Sequence, residues 1–551
     1  MQHINLITRR SFLDRSVKTS IAVALSTLVD IPFVMKRALA EGSIGLNGKK
    51  VLFIWLRGAN DSLNSVIPIQ DTAYAANRPT LAIPKDINTN YATSGIPADF
   101  PINSLSTDPT YSYGNAIRLG NGFAALHPSL KFLAPVYNDG DLALIHRTAY
   151  PKQSRSHFDS QRYWENGNPN NNLVQDGIFY RTILESGLAN SAPLTGVSIQ
   201  SSLPLILRGS DAPMTNLTDP TRYDLLGIPN DAGGNLKALN FLIGANNLPF
   251  PTKMNRELLQ LQYDNLNNTL KLPLFDATNG FFTEANNTYR DSVITDNDSA
   301  WAAANGNEGY YLFPTTNIKN GGWRRPDGTN VANKYAVDPG HQSFFNNLKA
   351  AALVLNKTDA IISGTELGGF DTHKGQGGVT GNNPNTHPQL NKTVGWALYA
   401  LKRYFTRYAE RATWNDVVVV TLSEFGRTTI ENSDLGTDHA EAGVMFVAGG
   451  AIKGYNKGNP YGVFNCGTSG PLAWVPGSGG TMFGVGGRYL QRNTDYRSVL
   501  GEIIRKHLGA TSDQVKRIIP GYAKEPELAG QRQDAASSVD GTHILGEVGI
   551  L

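Results

Sequence analysis

The sequence predicts an α/β fold, doubly wound around a mostly parallel sheet. Short continuous apolar runs recur along the chain, stretches of helical period lie between them, and clusters of polar residues follow the runs. A strand that is apolar on both faces is covered on both faces, which is the situation of a parallel strand packed between helices. Strands alternating with helices build such a sheet.

The first run is 49–56, KKVLFIWL, ending in Arg57-Gly58-Ala59-Asn60-Asp61. Similar runs occupy 142–146, 359–363, 417–422 and 444–448. Helical patterns fill 128–137, 341–355, 388–412 and 496–507. Pro388 takes a first-turn position, where its missing N–H costs nothing, and Gly509 punctuates the last helix. The stretch from about 170 to 335 is rich in Asn, Gly, Thr and Asp, with one helical pattern near 253–270. It reads as a large loop-rich insertion or cap on a single domain spanning 41–551.

Charge is nearly balanced, with 49 basic and 46 acidic residues and a net charge of +3. No basic stripe is present, so a nucleic-acid partner is not expected. The single cysteine, Cys466, excludes an internal disulfide. No apolar run approaches the roughly 20 residues of a bilayer span, so no stable membrane insertion is expected.

The N-terminus has its own logic. Thr8-Arg9-Arg10-Ser11-Phe12-Leu13 precedes an apolar stretch, 21–28, and a small-residue site, Ala38-Leu39-Ala40. A basic head, an apolar middle and a small-residue cleavage site make a secretory signal over 1–40. Paired arginines followed by Phe-Leu point to the twin-arginine route, an address read by a receptor. The expectation is a protein folded in the cytoplasm, engaged by the twin-arginine translocase, and delivered to the periplasm or beyond.

In open α/β sheets, ligands bind beyond the carboxyl ends of the strands. Here Asp61 follows the first run and Ser154-Arg155-Ser156-His157-Phe158-Asp159 the second. Asp371-Thr372-His373 follows the third and Ser423-Glu424-Phe425-Gly426-Arg427 the fourth; Asp438-His439 lies just before the fifth. Five distant segments would therefore converge on one edge. Mixed carboxylates and imidazoles suit a divalent metal such as Zn²⁺, Mn²⁺ or Fe, whereas an all-oxygen set would suit Mg²⁺ or Ca²⁺. Asp371 and His373 are spaced to face one ion from a loop. Ser156, at a helix start, has two readings: a nucleophile beside an ion or an N-cap. Arg427 and Arg155 could take a phosphate or sulfate oxygen by bidentate contacts, or could be salt-bridge or loop-clamp residues. His157 reads as an outer or substrate contact, and His387 as a surface residue after a Gly/Asn-rich loop.

These segments resemble the family called domain of unknown function 1501. The matching runs are LRGANDSLNSVIP (56–68), HPSLKFLAPVYNDGDLALIH (127–146), RSHFDSQRYWENG (155–167), LGGFDTH (367–373), LSEFGRTTIEN (422–432) and GTDHAEAGVMFVAGG (436–450). That family is similar to the alkaline phosphatase and sulfatase superfamily, whose members use one or two metals and an active-site serine, threonine or modified cysteine.

The resemblance implies an alkaline phosphatase-like fold. It casts Asp61 as the first metal carboxylate, Ser156 as the nucleophile, and Asp371 with His373 as the Asp-His metal pair, at a shortened spacing. Glu424 would replace a carboxylate where Phe425 stands in place of the histidine, and His439 would be the third ligand. A competing alignment makes Asp438-His439 the pair itself.

The implied activity is exported, metal-dependent hydrolysis of a phosphate or sulfate ester, borne by a small molecule or a polymer. Ser156, Arg427 and His157 would be catalytic; Asp61, Asp371, His373, Glu424, Asp438 and His439 would hold metal. Phe425 and the shortened spacing motivate the alternative, a catalytically degenerate member acting as a secreted binding or assembly factor.

Overall fold

Nine strands form the main sheet of the computed structural model: β1 Lys50–Leu56, β2 Leu142–Ala149, β3 Gly196–Ile199, β4 Thr215–Leu217, β5 Ile362–Leu367, β6 Val417–Leu422, β7 Gly443–Ala448, β8 Val463–Phe464 and β9 Thr494–Asp495. The structure describes residues 44–87, 115–188, 194–219, 337–464 and 488–522 with few gaps, plus short stretches between them and 544–551. The segment 1–40 and the helical pattern near 253–270 lie outside the described residues.

The strand order is β8-β2-β7-β6-β1-β5-β3-β4, with β9 also on β2. Only the two pairings made by β7 are antiparallel; the others are parallel. One strand thus runs against all the rest.

Helices cover both faces. They are α1 His157–Asn166, α2 Ile178–Ser186, α3 Gln342–Lys357, α4 His387–Arg407, α5 Tyr496–Glu502 and α6 Ser512–Ile518. Alternate residues of β1 explain the need for two layers. Leu52, Ile54 and Leu56 join the core that holds Leu348 of α3 and Trp396 of α4. Val51, Phe53 and Trp55 join the opposite core, with Ile183, Val499 and Val515. Each such side chain contributes about 1.5–3 kcal/mol when fully buried. Even Lys50 is buried; its Nζ donates to the carbonyls of Thr358 and Ala360 at 3.0 and 2.6 Å, and burial lowers its pKa to about 8.

Two expectations shift. The run at 359–363 is only the approach to β5, which begins at Ile362 and continues through Ser363, Gly364, Thr365 and Glu366. These residues are not apolar, yet they form a central strand because Gly364 makes room for its neighbour. A Cβ there would lie 2.4 Å from Phe53. The segment expected as an insertion from about 170 also begins too early, since α2, β3 and β4 all belong to the sheet layers. Most of 220–336 lies outside the described residues.

Parallel pairing places the carboxyl ends of β1, β2, β5 and β6 on one edge; Leu56 is level with Leu367, and Trp55 with Leu422. Because β7 runs the other way, its amino end meets that same edge. This is why His439 precedes its strand while the other polar clusters follow theirs.

Candidate functional site

The loops beyond this edge are stitched together by backbone bonds. Phe370 N donates to Arg57 O at 3.1 Å, and Asn60 N to Ser423 Oγ at 3.0 Å. Gly58, at φ +108°, lets the loop after β1 press against the loop after β5; a Cβ there would meet Asp371 N at 2.4 Å. A short hairpin, Arg427–Glu431 paired with Thr437–His439, sets Arg427 opposite His439.

Three imidazoles converge on one carboxylate oxygen. His373, His157 and His439 place Nε2 at 3.1, 3.4 and 3.4 Å from Asp371 Oδ1. The Nε2 atoms of His373 and His439 are 2.9 Å apart. His157, Asp371 and His439 each offer a donor atom within 4.8 Å of the others.

Each ring is oriented from behind through Nδ1. His157 Nδ1 meets Glu424 Oε1 at 2.8 Å, His373 Nδ1 meets Asp438 Oδ1 at 3.1 Å, and His439 Nδ1 meets Arg155 O at 2.8 Å. Oxygen acceptors at Nδ1 put the proton there and leave the Nε2 lone pairs facing inward, the arrangement by which outer groups orient metal-binding histidines. Phe425, fully buried, sits with its ring 4.8 Å from those of both His157 and His439. It supplies packing where the resemblance called for a ligand.

The electrostatics follow from these contacts. The hydrogen bond to Glu424 raises the His157 pKa against the pull of desolvation. Burial, then the charges of Arg427 and His157, lowers that of His439. Partial burial would raise Asp371, but the Arg427 hydrogen bond and charge outweigh it and hold its pKa at about 2. Burial would also raise Glu424, yet the His157 and Gln161 hydrogen bonds keep it below the ordinary carboxylate range.

The residue types and spacing fit a divalent ion. His157 Nε2 is buried and has no hydrogen-bond partner, although Asp371 lies 3.4 Å away. Tetrahedral bonds of about 2.0–2.1 Å separate neighbouring donor atoms by about 3.3–3.4 Å. His157 and His439 Nε2 each stand 3.4 Å from Asp371 Oδ1, at that separation, whereas His373 Nε2 is 2.9 Å from His439 Nε2, closer than two such ligands sit.

Other expected site residues stand elsewhere. Asp61 does not join the cluster: it is fully buried, paired bidentately with Arg78 at 2.6 and 3.1 Å, and accepts from Gln376 Nε2 at 2.6 Å. Burial would raise its pKa, but the Arg78 charge overrides this. Glu424 and Asp438 sit behind His157 and His373 as their anchors. The Arg427 side chain is fully buried and donates to the carbonyls of Gly58, Ala59, Phe370 and Thr437 and to Asp371. Ser156 is the N-cap of α1, its Oγ accepting from Asp159 N at 3.4 Å. His387 is buried rather than on the surface, with Nε2 3.0 Å from Asn60 Oδ1.

Three partners escaped the sequence reading. Gln161 lies one helical turn beyond His157 and donates to Glu424 Oε1 at 2.9 Å; that i, i+4 spacing from a histidine was the available signal. Asn432 donates to Asp438 Oδ1 at 3.0 Å and Arg488 to Oδ2 at 3.2 Å. No local pattern marks either.

No curated protein and no solved structure matches the chain. Residues 326–465, which carry Asp371, His373, Glu424, Arg427, Asp438 and His439, match the model of the family described as Protein of unknown function (DUF1501).

Proposed function

We propose that this chain is an exported, metal-dependent hydrolase of phosphate or sulfate esters. The observation that supports it most is the convergence of three Nδ1-anchored imidazoles on Asp371 Oδ1 at 3.1–3.4 Å. His157, Asp371 and His439 would hold the ion, with His373 beside them, and the mixed nitrogen and oxygen set favours Zn²⁺, Mn²⁺ or Fe. When bound, such an ion supplies Lewis-acid polarisation of an ester oxygen and a lowered pKa for water at the site. Arg427 keeps Asp371 ionised, while Glu424, Asp438 and the Arg155 carbonyl hold the three rings in one tautomer. Water is taken as the nucleophile in this reading, with Ser156 Oγ accepting from Asp159 N as the helix cap. Kinship with the alkaline phosphatase and sulfatase superfamily, and twin-arginine export, belong to the same proposal.

The test is metal analysis of protein purified without chelator, followed by a panel of phosphate, sulfate and carboxylate esters. Stoichiometric metal with turnover of an anionic ester is expected. A metal-free protein that turns over none of them overturns the reading.

A further inference from the structure

The loop that carries Asp371 and the strand that carries His439 meet at one buried amide. Thr437 N donates to Thr372 O at 3.1 Å, and a Cβ on Gly436 would lie 2.3 Å from His373 C, so the two segments touch backbone to backbone. Beside that contact, Gln376 Oε1 accepts from Thr372 Oγ1 at 3.0 Å and from Thr437 Oγ1 at 2.6 Å. Thr372 stands between Asp371 and His373, and Thr437 leads into Asp438 and His439. A single oxygen thus joins a neighbour of each arm of the cluster.

The direction of this amide is fixed from its other end. Gln376 Nε2 donates to Asp61 Oδ2 at 2.6 Å, and an ionised carboxylate can only accept. Nε2 must therefore face Asp61, Oε1 must face the two hydroxyls, and both hydroxyls must donate. Asp61 is gripped in turn by Arg78. That guanidinium also donates to the carbonyls of Thr428 and Thr429, at 2.7 and 3.0 Å, in the strand paired with Thr437–His439. Arg78, Asp61, Gln376, Thr372 and Thr437 are all buried. In so dry a network, reversing one donor leaves several groups unpaired, and that penalty makes the arrangement stiff.

We propose that Gln376 is a positioning residue for the metal site: held by Asp61, its amide oxygen sets how far the Asp371 loop stands from the His439 strand. Asp61 then acts on the ion from a distance, through the amide, without touching it. The inference rests on the metal site of the proposed function and on no substrate class.

The test titrates Co²⁺ into full-length protein, reading its affinity by chelator competition and its coordination by visible absorption, with folding checked by circular dichroism. In Gln376→Glu both hydroxyls keep their acceptor, but two carboxylates now face each other. Combining Gln376→Glu with Asp61→Asn exchanges the amide and the carboxylate and restores a donor between them. Thr437→Val deletes one hydroxyl without adding a buried charge. Tyr404→Phe is the control, since that hydroxyl accepts from Asn356 between α3 and α4.

Co²⁺ affinity is expected to fall about 10–100-fold in Gln376→Glu, as for other groups that orient metal ligands. The fall should be smaller in Thr437→Val, and both spectra should shift. The double variant should recover most of the affinity and the wild-type spectrum; Tyr404→Phe should match wild type in both. Wild-type affinity and spectrum in Thr437→Val, or in folded Gln376→Glu, overturn the inference. So does a double variant that regains its fold but not its Co²⁺ affinity, because Gln376 is then structural only. A wild type that binds no Co²⁺ overturns the metal reading and this inference together. Expected Co²⁺ behaviour in a protein that hydrolyses no ester overturns the hydrolase reading alone.

Discussion

The Nε2 atoms of His373 and His439 face each other at 2.9 Å. The Arg155 carbonyl can only accept, so His439 carries its proton on Nδ1 and presents a lone pair at Nε2. Asp438 imposes the same tautomer on neutral His373. Two lone pairs at this distance repel unless something positive lies between them. A cation held beside the two rings answers that repulsion.

Glu424→Gln should therefore weaken metal binding without unfolding the site. The isosteric amide still accepts at Oε1 but loses the charge that orients His157 and makes its ring basic. A loss of 10–100-fold in metal affinity is expected, as for other partners that orient metal ligands. Competition with a chromophoric chelator measures it; unaltered affinity would detach Glu424 from the site's function.

The pH dependence should change sign with metal. In metal-free protein the His157 pKa is raised by Glu424. Its stabilising contribution is complete below the unfolded value of about 6.5 and is lost as pH rises through the folded value. Metal requires neutral imidazoles, so stabilisation by an added ion grows over the same range. Melting curves with EDTA and with Zn²⁺ should diverge as pH rises past about 6.5. Parallel curves would mean that His157 takes no part in binding.

Ser156→Ala separates cap from nucleophile. Loss of an N-cap hydroxyl costs about 0.5–2 kcal/mol, and the 3.4 Å separation from Asp159 N places this one at the low end. Denaturant melts should show that small loss, with metal content and any turnover retained. Abolished turnover at full stability would restore the serine as nucleophile.

Gly58→Ala tests the stitching of the loops. The residue sits at φ +108°, and its Cβ would lie 2.4 Å from Asp371 N, a backbone atom that cannot swing aside. Left-handed strain and overpacking together should cost about 1–3 kcal/mol or more. They should also displace Asp371 and reduce metal occupancy. Native stability together with native metal content would contradict the close approach.

Export is tested at the N-terminus. Replacing Arg9 and Arg10 by lysine keeps the charge but removes the planar fork, so the substitution is not conservative. Precursor should accumulate in the cytoplasm, as cell fractionation would show. Normal secretion of the double-lysine variant would assign this chain to another pathway.

The sequence alone determined four central strands of the sheet and the edge on which chemistry collects. Lys50–Leu56, Leu142–Ala149, Val417–Leu422 and Gly443–Ala448 are legible because strands covered on both faces must be apolar throughout. Ile362–Leu367 was displaced, since its polar and glycine residues are tolerated only beneath Phe53. Asp371, His373 and His439 were legible as a cluster from their places at strand ends. Which groups meet within it was decided by tertiary structure. The buried Arg78 claims Asp61, backbone carbonyls claim Arg427, and Glu424 and Asp438 stand behind histidines instead of beside them. Those outcomes depend on which charge has a partner within about 3 Å, a distance between residues up to hundreds of positions apart that no local pattern encodes.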